Sequence, residues 1–401
     1  MLHRRSFLAA APLAFAGARQ SRAQGTTPFR IAVSGDMSGM YQDVSGPGQV
    51  VAVRMAVQDV GGHVLGRPIE VLSADDQNKA DVAGATARRW FDEEGVAAIV
   101  GGGNSSTAAA ILGVARDKHK PFMIVAAGNP EFTRSLCSPI STQWAYDTYS
   151  AAASTGRFLS SKGGSWFFIT ADYAFGHALE RDVTSVVSEA GGRVVGSVKV
   201  PLNTADWSSA LLAAQSSGAE TIGLAVAGTD LIGAVKQAGE FGLTGTHRVA
   251  AMIALVSDIV PMGVAAAQGL IASESFYWDR DVASRAWTAR WTSQRPGKVP
   301  NMFQAYAYTA ALHYLRAVQA AGTDDGPTVV AAMKRMPVDD FNNHAVVIRA
   351  DGRVMNPTFI LRVKKPSDMA GQFDVFDVLG EVPGAQLYRP ADVAACPLAA
   401  G

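Results

Sequence analysis

Residues able to do chemistry are spread thinly along this sequence, and their spacing fits none of the common catalytic patterns. Gly101-Gly102-Gly103 follows an apolar run, but the third glycine of a dinucleotide fingerprint falls on Ser106. In Gly35-Asp36-Met37-Ser38-Gly39 a Met stands where a nucleophile elbow would centre its Ser. The histidines (His3, His63, His119, His177, His247, His313, His344) show no paired ligand spacing, and neither cysteine lies near one. The acid pairs Asp75-Asp76, Asp324-Asp325 and Asp339-Asp340 lack the alternation of a calcium loop. We expect no metal, no cofactor and no enzyme.

The pattern does offer binding chemistry. Small, polar and aromatic residues follow the expected strand C-termini, the edge at which open α/β sheets take ligands. Ser38-Gly39-Met40-Tyr41 follows the first strand. Asn104-Ser105-Ser106-Thr107 follows the third and runs into a helix. There a capping side chain would leave two or three N–H groups and hydroxyls for an anion, although plain helix capping explains the same residues. Ala126-Ala127-Gly128 is small enough to let a ligand touch backbone. In Asp172-Tyr173-Ala174-Phe175-Gly176 at least one ring should face a cleft, with lobe-core packing the alternative for both. Gly228-Thr229 forms a further turn of this kind.

The elements that must position these turns alternate regularly. Short apolar runs at Phe29–Val33, Ile69–Leu72, Val96–Val100 and Phe122–Val125 read as strands, separated by helical periods at Gly48–Val60, Asp81–Glu94 and Ser106–His119. After a loop at about 130–147 the rhythm restarts with Trp166–Thr170 and runs to a helix at Asp230–Phe241. Such βαβα order specifies parallel strands with right-handed crossovers, hence two doubly wound α/β lobes. Longer helices follow at Ser284–Gln294, Asn301–Ala321 and Thr328–Met336. The tail alternates as β at Ala345–Ile348 and Phe359–Val363.

Composition fits a folded chain. The 401 residues carry 35 Lys+Arg against 35 Asp+Glu with no basic run, so there is no electrostatic footprint for nucleic acid. His3-Arg4-Arg5-Ser6-Phe7-Leu8, an apolar stretch and Ser21-Arg22-Ala23 read as an export signal over residues 1–23, of the twin-arginine type, cleaved near Ala23. The apolar stretch Val249–Ala267 is broken by Asp258, Pro261 and Gly263, which argues for a buried strand, turn and short helix rather than a membrane span. In an exported chain Cys137 and Cys396 should pair and tie the C-terminal tail to the body.

Taken in order, Gly35-Asp36-Met37-Ser38-Gly39, Asn104-Ser105-Ser106-Thr107, Asp172-Tyr173-Ala174-Phe175-Gly176, Lys236–Gly242 and Phe276-Tyr277-Trp278-Asp279 resemble the branched-chain amino-acid type of ABC-transporter solute-binding protein, a type I periplasmic binding protein. The resemblance implies two doubly wound parallel-sheet lobes joined by a three-strand hinge. Residues 28–144 and 274–342 would form the first lobe, and 145–273 and 343–401 the second. It implies a small carboxylate held by Asn104-Ser105-Ser106 and Ala126-Ala127-Gly128, with Phe175 and Gly228-Thr229 closing from the other lobe. It also implies a periplasmic monomer that delivers its ligand to ABC permease membrane subunits; a sensor docking on a membrane kinase would use the same shape. Amino-acid binders of the family pair the ligand ammonium with an acid, yet Met252-Ile253-Ala254-Leu255 has none, leaving Asp147 and Asp230 as substitutes. Tyr41, Trp144, Tyr146, Tyr173, Phe175 and Trp278 could build a stacking pocket. The forms Asp-Tyr-Ala-Phe-Gly-His and Phe-Tyr-Trp-Asp resemble the subgroup that takes aromatic carboxylates, so an aromatic acid is the expected ligand and a branched-chain amino acid the alternative.

Overall fold

The computed structural model describes residues 27–161 and 163–400; the export signal expected over 1–23 lies outside them. The first strand, β1 (Phe29–Gly35), is buried on both faces, as a central parallel strand must be. Helix α1 (Pro47–Asp59) leads to the hairpin of β2 (His63–Val64) and β3 (Arg67–Asp75). Helix α2 (Ala80–Asp92), β4 (Val96–Gly101), α3 (Ser105–Asp117), β5 (Phe122–Ile124) and β6 (Ser141–Gln143) complete the first lobe's sheet, in the order β2-β3-β1-β4-β5-β6. Apart from the β2–β3 hairpin its pairings are parallel.

The second lobe repeats the plan. Strand β7 (Ser165–Ala171) is again buried throughout and is followed by α4 (Ala174–Glu189), β8 (Arg193–Val200), α5 (Ser208–Ser216), β9 (Thr221–Ala225), α6 (Thr229–Glu240), β10 (Arg248–Ala251) and the short α7 (Val256–Met262). The parallel sheet has the order β10-β9-β7-β8. The stretch from 249 to 267 is thus strand, turn and short helices, as its interruptions required.

Strand β11 (Ile271–Glu274) carries the chain back. Helices α8 (Val282–Thr292), α9 (Met302–Ala321) and α10 (Gly326–Arg335) return to the first lobe, where α9 packs along α1. Strands β12 (Thr358–Val363) and β13 (Phe376–Val382) form an antiparallel sheet with β11, and their apolar residues join the core of the second lobe. The chain therefore passes between lobes after β6, after β11 and before β12. The strand expected at Ala345–Ile348 does not form. Ala345, at φ of +52°, lies outside the extended region, and the rest of the run makes only single bridges, Val338 to Val346 and Ile348 to Val354.

Two features fasten these crossings. Arg353, fully buried, donates through Nη2 to the carbonyls of Gln143 and Ala145, stacks on the Tyr388 ring and faces Asp147 at 3.4 Å. Cys137 and Cys396 form a disulfide that ties the C-terminal tail to the first lobe.

Candidate functional site

The turn after β1 is built around one carboxylate. Asp36, buried, accepts the amides of Ser38 and Gly39 through Oδ1 and that of Tyr41 through Oδ2, which also takes the Asn78 amide. A side chain at Gly39 would meet that carboxylate at 2.6 Å, so glycine is required for the wrap. The wrap points Tyr41 at the opposite lobe, where its hydroxyl lies 2.9 Å from that of Tyr173. Gly228 presses on the same turn. Its φ is +61°, and a Cβ there would meet the Met40 carbonyl at 2.9 Å. The two lobes are shut on each other.

At the start of α3 the Asn104 side chain accepts the amides of Ser106 and Thr107 at 2.8 and 2.9 Å, and Thr107 Oγ1 accepts the Asn104 amide. The cap thus consumes groups expected to be free for an anion. What remains is the Ser105 N–H and its hydroxyl, which is buried without a hydrogen-bond partner. An orphaned buried hydroxyl is costly unless something supplies a partner. Gly128 lets the opposite wall close in, since a Cβ there would lie 3.0 Å from the Tyr146 ring.

Aromatic rings make the remaining walls. Tyr146 stands edge-on to Phe175 at 6.5 Å between centroids and 5.9 Å from Phe303; Tyr173 and Phe175 are 5.9 Å apart. Burial pushes the Tyr41, Tyr146 and Tyr173 phenols above their ordinary values, so they stay neutral hydrogen-bonding groups. Asp258 closes one end. Its Oδ2 accepts the Leu255 amide at 2.9 Å, and burial pushes its carboxyl up to about 7. Among the described residues no Lys, Arg or His lines this cavity. It has about 30 Å³ of room for water, which is about two molecules, so a larger guest requires the rings to part.

Of the residues singled out in the sequence, Tyr41, Asn104, Ser105, Ala126, Ala127, Gly128, Tyr146, Tyr173, Phe175 and Gly228 line this cavity together. Others do not. Ser106 does not line it, and its amide is spent on Asn104. Trp144 is a core residue that donates to Thr142 and packs against His313. Asp147 caps the one-turn helix Thr148–Ala151 and faces Arg353; burial raises its pKa and the guanidinium opposes that. Thr229 opens α6 on the exposed side, and Trp278 donates to the Phe373 carbonyl. Asp230 accepts the Asn203 amide outside the cavity. The acid that does reach it, Asp258, sits three residues beyond the stretch read as lacking one; its signal was an ionisable residue inside an apolar run. Phe303 arrives from the start of α9, a contribution no local pattern announces.

A chamber walled by both lobes is how a solute receptor takes its guest. The chain belongs to the periplasmic binding protein family, which matches residues 28–370. The family is periplasmic, and among the described residues no helix is long and apolar enough to cross a membrane. A periplasmic binding protein from Burkholderia mallei is 43% identical, with a TM-score of 0.88 over 90% of this chain and 96% of that one. A branched-chain amino-acid ABC transporter periplasmic ligand-binding protein from Burkholderia xenovorans is 37% identical, with a TM-score of 0.81 over 90% and 97%. A Rhodopseudomonas palustris solute-binding protein in complex with 3,4-dihydroxybenzoic acid shares the fold at 21% identity, with a TM-score of 0.79 over 89% and 98%. Among curated proteins, a Leu/Ile/Val-binding protein homolog of Brucella abortus is 23% identical over 48% of this chain; the match spans about half the relative's length (49%).

Proposed function

We propose that this protein is the solute-binding component of an ABC importer and that it encloses a small carboxylate, preferably an aromatic acid, between its lobes. The observation that carries this reading is the Ser105 hydroxyl, buried without a partner at the rim of a chamber walled by Tyr41, Tyr146, Tyr173, Phe175 and Phe303. The Ser105 N–H and hydroxyl supply donors for one carboxylate, and the rings supply a flat apolar slot. Burying a phenyl-sized group contributes about 1.5–3 kcal/mol. An ionised carboxylate without a cation would be costly to bury, but Asp258 with its raised pKa can be neutral and donate. The fold is able to take such a guest, as the R. palustris protein does.

A second reading has its own observation. Asp258 is an acid in the chamber with no cationic partner there, and an α-ammonium would supply one. That favours an amino acid, in line with the description of the B. xenovorans protein. Under either reading the mature chain acts in the periplasm as a monomer, its leader removed near Ala23, and docks on membrane permease subunits when closed.

Calorimetry against benzoate, 4-hydroxybenzoate, leucine and valine separates the two. Binding of the aromatic acids supports the first reading. Binding of leucine or valine alone replaces it with the second, and no binding by any of them overturns both.

A further inference from the structure

A larger chamber lies beside the cleft and shares none of its lining residues. It is a partly open pocket of about 230 Å³, more than the cavity of about 150 Å³ that takes a benzene. One wall is the start of the first lobe at Gln42, Asp43 and Gly48. The facing wall is α7, through Val256, Ser257 and Val260. The segment from Trp291 to Val299 and the Phe373 loop line further sides, and the pocket stays partly open to solvent.

The chemistry of this chamber is uneven. Trp291, Val260, Pro261 and Phe373 give it an apolar body, and the Trp291 N–H is already spent on the Gly48 carbonyl. Two cations reach it. Lys298 is paired with Asp43. The half-buried Arg295 guanidinium has no hydrogen bond or ion pair among the described residues. An apolar box with one uncompensated cation is complementary to an amphipathic anion.

Helix α7 separates the two chambers and faces both. Leu255 and Asp258 look into the cleft, while Val256, Ser257 and Val260 look into the outer chamber. The start of α9 is divided in the same way, with Phe303 on one side and Asn301 and Gln304 on the other. Asn301 Nδ2 donates to the Asp43 carbonyl at 2.9 Å and to Ser257 Oγ at 3.1 Å, so one amide spans both lobes at the chamber's edge. The chamber's walls therefore come from both lobes.

We propose that this chamber is a second ligand site, for a small organic anion with an apolar body, and that its occupant holds the lobes closed. A ligand that contacts both walls favours the closed form, and by linkage it tightens whatever the cleft binds. The site does not depend on which solute the cleft takes.

The test is titration of the mature protein with 2-naphthalenesulfonate, read by the probe's own fluorescence. One saturable site is expected, weakened at least tenfold in Arg295→Ala and lost in Val260→Trp, which fills the chamber. Arg295 is on the surface segment, so its variant keeps the test valid should Val260→Trp misfold. Absence of saturable binding, equal binding in Arg295→Ala, or displacement by benzoate mole for mole overturns the site. Bound probe should also slow amide hydrogen exchange at Ala227-Gly228, on the cleft side where the lobes touch. Unchanged exchange there overturns the closing role.

Discussion

The Tyr41 hydroxyl stands 2.9 Å from the Tyr173 hydroxyl, and this single bond joins the turn after β1 in one lobe to the turn after β7 in the other. Both rings also line the cleft. The bond therefore exists only in the closed form, and its free energy belongs to the closing equilibrium rather than to either lobe.

Removing that bond should loosen the receptor without harming its fold. In Tyr173→Phe a net contribution of about 0.5–1.5 kcal/mol is lost, which weakens ligand binding by about two- to twelvefold. Calorimetry on the variant, with circular dichroism as the control for folding, reads the effect. Unchanged affinity would show that this contact contributes nothing to closure.

Phe175 sits between Tyr146 and Tyr173, so its ring is a wall shared by two others. Phe175→Ala should reduce affinity at least tenfold, about 1.4 kcal/mol. The thermal midpoint should fall by only a few degrees, because the lobe core behind β7 is intact. A variant that binds as tightly as the parent would place the guest elsewhere.

Asp258 gives the cleft a pH signature whose sign depends on the guest. Burial pushes its carboxyl up to about 7. For a carboxylate ligand, affinity should fall as pH rises through that value, by up to tenfold per unit, because ionised Asp258 repels the guest. For an ammonium ligand it should rise over the same interval. Asp258→Asn should flatten either profile. In the folded protein this group holds its proton more tightly than in the unfolded chain, so its stabilising contribution is present below about pH 4 and is lost as pH climbs to about 7. The melting advantage of Asp258→Asn over wild type should accordingly grow across that window and stay constant above it.

The Cys137–Cys396 disulfide closes a loop with a sequence separation of 259. Loop-closure entropy over such a span corresponds to about 5 kcal/mol. Replacing both cysteines by Ser should lower the melting temperature by roughly 10 °C, with ligand affinity unchanged, since the bridge lies away from the cleft. Equal melting temperatures would mean that packing of the tail alone holds it.

Most of the architecture was legible because it rests on local signals. The strands β1, β4 and β7 are apolar runs between turn residues, and Asn104 is a helix cap by type and position. The cleft turns around Tyr41, Ser105, Gly128 and Phe175 follow from where parallel strands end. Tertiary events were less visible. Nothing near Trp144 shows that its indole turns inward to Thr142 and His313, or that Asp147 faces Arg353 rather than a ligand. Asp258 stood in plain sight inside an apolar run, yet only the turn of α7 reveals that it looks into the cleft.

Glu274 joins the two lobes where they would move against each other. Its carboxyl group, buried and held well above its ordinary pKa by burial, accepts the Val256 amide through Oε1 and the Met302 amide through Oε2, each at 3.3 Å. Those amides open α7 and α9, which belong to opposite lobes. Any swing that preserves both bonds must turn about a fulcrum within a hydrogen-bond length of this one side chain. Displacement then grows with distance from Glu274, like the travel of a lever arm. The Tyr41–Tyr173 bond would break in such a swing while the Val256 and Met302 amides stay joined through Glu274.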